Sequence, residues 1–327
     1  MIYSAQAINQ AIDKMNSFGT HRVPFLFLFN YELDEIVLYP LDDVPGHIQF
    51  SFLNHHKKSE ADINNEPFQL KKTPIAKDDF SKAFGGVMDE IEYGNSFLLN
   101  LTFPSKINTN YGLEEIFHQS DAKYKVLWEG RFTSFSPETF VKIRKNKIYS
   151  YPMKGTIDAT IEDAVNVILN DPKEAAEHYT IVDLIRNDLA QVAEQIKVNK
   201  FRFIDRIQTH DKRLLQVSSE IEGSLEENWQ SRIGNLLMKL LPAGSISGAP
   251  KKRTLDIIRK NEIDRRGFYT GVAGVFDGET LDSCVLIRFI EQKDEQLYFR
   301  SGGGITFQSN LDAEYEELIQ KIYVPIF

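Results

Sequence analysis

One cysteine, Cys284, is all the thiol that the 327-residue sequence carries. An intramolecular disulfide is therefore excluded, as is any zinc or iron–sulfur site built from several cysteines. Positive charge is also in deficit. The 38 Lys and Arg stand against 47 Asp and Glu, a formal charge of −9, so the basic footprint of a nucleic-acid binder is missing. Long apolar runs are missing too. The most apolar short stretch, VPFLFLF from Val23 to Phe29, is far too short to span a bilayer. The opening MIYSAQAINQAIDKM has no basic segment ahead of an apolar one and does not read as a signal peptide. A cytoplasmic protein is expected, with neither membrane nor nucleic acid as partner. There is no internal repeat, heptad seam or low-complexity tract. The patterns G-x-x-x-x-G-K-[ST], G-x-G-x-x-G, H-E-x-x-H and G-x-S-x-G are all absent, which removes the NTPase, dinucleotide, zincin and hydrolase-elbow readings.

What is present suffices for a large core, with 42% hydrophobic and 12% aromatic residues in a chain long enough to bury about three quarters of its unfolded surface. Strands are expected at Phe25–Asn30, Glu35–Tyr39 and His47–Leu53, then a polar connector at Asn54–Thr73. A helix follows at Lys77–Glu92, where Phe80, Phe84, Val87, Met88 and Ile91 recur at helical spacing. Further strands are expected at Ser96–Phe103, on either side of Ser136-Pro137, at Lys147–Tyr151, Ile196–Phe203, Leu214–Ile221, Phe268–Phe276, Thr280–Glu291 and Gln296–Arg300. Helices are expected at Ile161–Leu169, Lys173–Leu189, Trp229–Leu240, Lys251–Asn261 and Leu311–Lys321; Asp171-Pro172 marks one start. Clustered strands with helices between the clusters indicate an α+β protein. The connector divides the chain into an N-terminal β segment, residues 1–73, that packs on the same body as residues 74–327.

Four features carry chemistry. Glu174 with Glu177, and Glu314 with Glu317, are i,i+3 pairs on two expected helices, so each pair shares a face. Four carboxylates from two helices would suit Mg²⁺, although one such pair is ordinarily a solvated face. Gly302-Gly303-Gly304 after a strand could turn amides inward as an anion nest or be a plain flexible turn. LPAGSISGAPKK (241–252) places small residues before a helix start. Lys154, in YPMKGT (151–156), lies between a strand end and a glycine, and a lysine becomes a nucleophile when its pKa is lowered. His178 borders Glu177 and reads as a helix-surface residue.

Together these segments resemble the chorismate-utilising enzymes: anthranilate synthase, aminodeoxychorismate synthase, isochorismate synthase and relatives. The matching blocks are SPETF (136–140), PMKGT (152–156), KEAAEHYTIVDLIRNDL (173–189), LPAGSISGAPKKRTLDII (241–258), RRGFYTGVAG (265–274), IRF (287–289) and SGGGITFQSNLDAEYEEL (301–318). They occur in family order over roughly residues 74 to 327. The resemblance implies one large α+β domain of two packed antiparallel sheets flanked by helices. It implies Mg²⁺ on Glu174, Glu177, Glu314 and Glu317, and a general acid in Glu138. Tyr269 and Arg288 would bind the enolpyruvyl carboxylate, and the Gly302–Gly304 backbone would complete that grip. Ser245 and Thr156 would be pocket donors, and Lys321 would add positive charge near the ring carboxylate.

Lys154 points to the aminodeoxychorismate synthase branch of that family, which resembles this sequence in its lysine where anthranilate synthases have alanine. That branch makes a p-aminobenzoate and folate precursor from chorismate and ammonia. Gln216, in LLQVSSEIEG (214–223), stands where anthranilate synthases carry the histidine implicated in pyruvate elimination. Leu98, Leu99 and Asn100 stand where isochorismate synthases carry a water-activating lysine. Both rivals are disfavoured on these residues, and a non-catalytic chorismate-binding regulator need not keep Lys154. A glutamine amidotransferase subunit is the implied ammonia source. Tryptophan binding is not expected, because the segment before the catalytic part is short.

Overall fold

The computed structural model describes residues 5–52, 55–58, 66–208 and 213–326. Leu53, the last residue of one expected strand, and much of the expected connector lie outside them. Among the described residues the chain forms two nine-stranded antiparallel sheets with helices against them. The first sheet runs in the order Met153–Asp158, Arg213–Ser224, Lys147–Ser150, Thr139–Arg144, Leu281–Val285, Val272–Phe276, Phe25–Phe29, Ile36–Pro40, with Glu194–Gln208 also on Arg213–Ser224. The second runs Gly248–Ala249, Leu98–Thr109, Gln296–Thr306, Phe289–Lys293, Phe132–Ser136, Tyr124–Trp128, Ile48–Phe52, His55–Lys57, with Leu70–Thr73 also on Leu98–Thr109. Both ends of the expected connector thus pair into the second sheet. Strands from both sides of residue 73 build both sheets.

Phe25–Phe29 shows why the layers form. Its five residues are all fully buried, and alternation sorts them between two cores rather than between core and water. Leu26 and Leu28 join Ile48, Phe50, Phe52, Tyr124, Val126 and Phe132 in a core between the sheets. Phe25, Phe27 and Phe29 face the opposite core with residues of the helices Pro172–Leu189 and Ile233–Leu240. Each such side chain contributes about 1.5–3 kcal/mol of burial. The helix Lys77–Glu92 lays Phe80, Phe84 and Val87 on Leu99, Leu101 and Phe103.

Several expectations change. The helix Leu113–Gln119 and the strand Tyr124–Trp128 were not expected, and the strand expected at Ser96–Phe103 runs Leu98–Thr109. A helix at Ala5–Thr20 was not expected; it buries Met15 and docks on Ile233–Leu240, where Asn16 Oδ1 accepts from Gly234 N–H at 2.9 Å. The expected strand Thr280–Glu291 is two strands. Leu281–Val285 belongs to the first sheet and Phe289–Lys293 to the second. The chain crosses between them at Leu286–Arg288, where Arg288 has φ 49°. A single strand pattern cannot announce this crossing, because apolar residues run on both sides of Arg288, from Cys284 to Ile287 and at Phe289 and Ile290. It delivers Arg288 to the seam of the two sheets.

Candidate active site

A cleft of about 2240 Å³ opens into the body. Every site residue named from the sequence lines it except Gly303. Gly303 lies just behind the wall, where an added Cβ would stand 3.3 Å from Glu314 Oε2 and from Glu317 Oε1.

Lys154 rises from the strand Met153–Asp158, whose pairing with Arg213–Ser224 shifts register between Met153 and Thr156. Such an irregularity re-aims a side chain, and here Lys154 Nζ comes to 2.7 Å from a Glu177 carboxylate oxygen. Its side chain is 26% exposed and lines the cleft. Burial disfavours its charge, but Glu177, Glu317 and Glu174 outweigh that and hold the amine above its ordinary value. A Cβ on Gly304 would come 3.6 Å from Nζ and 3.1 Å from Leu98 Cδ1, so the bare strand there leaves the amine its space.

Gly302–Gly304 do not form a turn or nest. They continue the strand Gln296–Thr306 and pair with Asn100–Thr102, none with positive φ. Close approach explains the glycines, since a Cβ on Gly302 would fall 2.2 Å from Leu101 O. The neighbouring strand Phe289–Lys293 stops pairing at Arg300. Past that point the strand has partners on one side only among the described residues. Its other edge receives Lys321, whose Nζ donates to Gly302 O at 2.8 Å and pairs with Glu317 at 2.6 Å.

Glu138 follows Ser136-Pro137, between the strands Phe132–Ser136 and Thr139–Arg144. Ser245, from the short helical turn Gly244–Ser247, donates to its Oε1 at 2.5 Å. Burial pushes the Glu138 carboxyl above its ordinary value, against the pull of Ser245, Arg288 and Lys321. Burial of this kind favours the protonated form of the acid. Asp188 anchors the same turn, pairing with Lys251 at 2.9 Å while its carboxylate leaves no room for a Cβ on Gly244.

Tyr269 is buried, and its phenol is pushed up to about 12. Burial comes first among the causes, so the hydroxyl stays a donor. Arg288 stacks on Tyr323, 5.0 Å from guanidinium carbon to ring centre, and its Nε is buried without a hydrogen-bond partner. Tyr323 lines the cleft too and carried no signal in the sequence. Beneath them, Arg266 ties the cleft walls together. It donates to Asn100 O at 2.6 Å, to Ile246 O at 2.9 Å and to Glu262 at 2.6 Å.

The four carboxylates of the two helices face this space, but no group of three His, Cys, Asp or Glu among the described residues is gathered tightly enough to hold a metal. Their present partners account for this. Glu177 is paired with Lys154 and Glu317 with Lys321, and Ser309 donates to Glu314 at 2.8 Å. Glu174 Oε2 is buried without a hydrogen-bond partner, and burial raises that carboxyl, with Glu177 and Glu317 adding to the effect. An orphaned oxygen among acidic neighbours is the donor chemistry a hard cation takes.

Thr156 is exposed to the cleft and sits in register with Gln216, whose Oε1 is buried without a partner. His178 does not lie on a helix surface. It is 0% exposed, its Nε2 is 2.7 Å from Ser219 Oγ, and its Nδ1 faces the Lys154 carbonyl. Its i+4 spacing from Glu174 was the available signal, since that offset puts both on one helix face.

Two layered antiparallel sheets around a lysine- and carboxylate-lined cleft define an α+β enzyme architecture of the chorismate-utilising type. The model of the chorismate binding enzyme family matches residues 38–326, and the chain belongs to that family. An uncharacterized PabA-like protein of Pasteurella multocida is 51% identical over 322 residues, 98% of this chain and 99% of that one. Aminodeoxychorismate synthase component 1 of Bacillus subtilis is 28% identical over 265 residues, 76% of this chain and 55% of that one. Among solved structures, anthranilate synthase component I of Streptococcus pneumoniae superposes with TM-score 0.66 at 26% identity, covering 80% of this chain and 60% of that one. No described helix is long and apolar enough to cross a membrane.

Proposed function

We propose that this protein is an aminodeoxychorismate synthase component I, which converts chorismate and ammonia to 4-amino-4-deoxychorismate. The observation that carries the reading is Lys154 Nζ, inside the cleft and 2.7 Å from Glu177. A regulator that only binds chorismate has no use for an amine held inside the cleft. In the proposed reaction the amine gives its proton to solvent at alkaline pH and attacks C2 of the ring, while Glu138 protonates the departing C4 hydroxyl. Ammonia then attacks C4 and expels Lys154, leaving nitrogen para to the ring carboxylate. One hard substitution becomes two allylic ones.

Arg288, with its unpartnered Nε, and the Tyr269 hydroxyl suit the enolpyruvyl carboxylate, because a guanidinium fork binds a carboxylate in two places. The Gly302–Gly304 edge, Ser245, Thr156 and Lys321 would complete the grip. Glu174, Glu177, Glu314 and Glu317 would hold Mg²⁺, for which the orphaned Glu174 oxygen fits. That ion would supply positive charge to the ring carboxylate. Gln216 in the strand beside Lys154 supports an enzyme that stops before pyruvate elimination, and Leu98 in the cleft wall supports the lack of a hydrating base. Cys284 is fully buried in the strand Leu281–Val285, where burial pushes its thiol up well above the usual range. It suits no glutaminase, so ammonia would come from a separate amidotransferase subunit, in the cytoplasm, on the way to p-aminobenzoate and folate.

The test is a product assay with chorismate, Mg²⁺ and excess ammonium at alkaline pH, with and without aminodeoxychorismate lyase. The expected result is p-aminobenzoate only when the lyase is added. Anthranilate or isochorismate as the product would overturn the reading.

A further inference from the structure

The helix Pro172–Leu189 grips Lys154 at both ends. Glu177 takes the amine at 2.7 Å. The next residue, His178, is 0% exposed and reaches the backbone end, with Nδ1 3.4 Å from Lys154 O and Nε2 2.7 Å from Ser219 Oγ. Lys154 and Gly155 stand where the ladder to Arg213–Ser224 shifts register, and such a bulge leaves backbone groups without ladder partners. A second shift, between Lys200 and Phe203 of Glu194–Gln208, faces the same stretch, with Arg202 at φ 50°. Ser219 joins the two. Its N–H donates to Pro152 O at 3.0 Å, and its hydroxyl accepts from Arg202 N–H at 3.0 Å.

These bonds fix the direction of the ring. A carbonyl oxygen only accepts, so Nδ1 carries the hydrogen toward Lys154. In the neutral imidazole Nε2 then accepts from the Ser219 hydroxyl.

We propose that His178 is a positioning residue. Its Nδ1–H stands in for the ladder donor lost at the bulge, and so fixes the backbone from which Lys154 reaches Glu177 and the cleft. It touches neither substrate nor reacting atoms. The inference rests on Lys154 being the nucleophile, but its geometric part is testable without that reading.

Three variants of the full chain decide it: His178→Leu, His178→Asn and Ser219→Ala. Leucine keeps the bulk and removes both ring nitrogens. Asparagine places an N–H where Nδ1 stands. Two measurements are made. One is steady-state turnover of chorismate with ammonium. The other is acetylation of Lys154 by acetic anhydride without chorismate, mapped by peptide mass spectrometry against Lys82, whose side chain is 79% exposed. A nucleophile displaced by about 1 Å loses on the order of 100-fold in rate. His178→Leu is therefore expected to lose kcat on that scale with the chorismate KM little changed. Its Lys154, freed from Glu177, should label faster. His178→Asn should restore most of both properties. If the leucine variant does not fold, Ser219→Ala carries the test, with a smaller loss in kcat at unchanged KM and faster labelling. Parent-like turnover and labelling in the leucine variant (or in Ser219→Ala where it stands in) would overturn the proposal. Equal damage from Asn and Leu with Lys154 labelling unmoved would overturn it as well, leaving a packing role. Full turnover by Lys154→Ala would instead sink the nucleophile reading, and the labelling series would still decide the role of His178.

Discussion

Ser245 donates a 2.5 Å hydrogen bond to Glu138, across 107 positions of sequence. The bond favours the ionised carboxylate, while burial favours the neutral acid and wins. Loss of the Ser245 hydroxyl should therefore raise the Glu138 pKa further. In a pH–rate profile of Ser245→Ala, the alkaline limb set by loss of the Glu138 proton should move to higher pH. Glu138→Gln should lower kcat by about 10²–10⁴-fold, the range of a positioned acid, with little change in KM. A fall confined to KM would remove Glu138 from proton transfer. The raised carboxyl also has a stability sign. The folded protein holds this proton where the unfolded chain has lost it, so Glu138 costs stability as pH rises from its ordinary value through the folded one. Thermal melts of Glu138→Gln should show that loss reduced at neutral pH.

The ion pair of Lys154 with Glu177 makes the opposite prediction for the amine. The carboxylate raises the Lys154 pKa against burial. In Glu177→Gln burial is less opposed, so the amine should deprotonate at lower pH. Lys154 labelling by an acylating reagent, followed against pH, should reach its plateau earlier than in the parent. An unchanged profile would show that Glu177 does not set the charge of the amine. Lys154→Ala should abolish turnover while calorimetry still detects chorismate.

The sequence carried the cleft residues farther than it carried the fold. Lys154, Glu138, Tyr269 and Arg288 lie in blocks whose order along the chain is specific, and the cleft gathers them. The helices Lys77–Glu92 and Lys251–Asn261 are amphipathic and begin and end as their spacing indicates. What the pattern could not give was the partner of each strand. Phe25–Phe29 is apolar throughout, so periodicity cannot say which phenylalanine faces which core. Thr280–Glu291 reads as one strand because the residues on both sides of Arg288 are apolar. Gly302–Gly304 read as a turn because the sequence does not reveal that Leu101 and Thr102 press against them from the next strand. His178 reads as a surface residue because its partners, Ser219 and the Lys154 carbonyl, are 41 and 24 positions away.

Two of the strand glycines, Gly302 and Gly304, should separate by substitution. Gly302→Ala drives a Cβ to 2.2 Å from the backbone oxygen of Leu101, which cannot move without breaking the ladder. Overpacking of this kind costs about 1–3 kcal/mol or more, so its melting temperature should fall. Gly304→Ala meets only the ends of flexible side chains, Leu98 Cδ1 at 3.1 Å and Lys154 Nζ at 3.6 Å. It should keep most of its stability and lose turnover. Melting curves and kinetics on the same two proteins check both halves, and equal losses of stability would refute the assignment.

Arg266 and Glu262 form a pair that is 1% and 4% exposed. Glu262 Oε1 also accepts from Thr102 N–H and Oγ1, both at 2.9 Å, and the Arg266 guanidinium bonds Asn100 O and Ile246 O. The pair thus joins the strand Leu98–Thr109 to the turn that holds Ser245. Removing one partner strands a buried charge, which costs about 3–5 kcal/mol. Arg266→Met should therefore destabilise the protein on that scale. Replacing both residues with apolar groups should recover part of the loss, because no charge is then left unpaired. Yet the double variant should not recover turnover in full. The carbonyls of Asn100 and Ile246 would still lack their donor, and the turn that presents Ser245 to Glu138 would be held by fewer bonds. Denaturant melts and kcat on the single and double variants test this split. Recovery of activity in step with stability would mean that Arg266 acts on the cleft only through global folding.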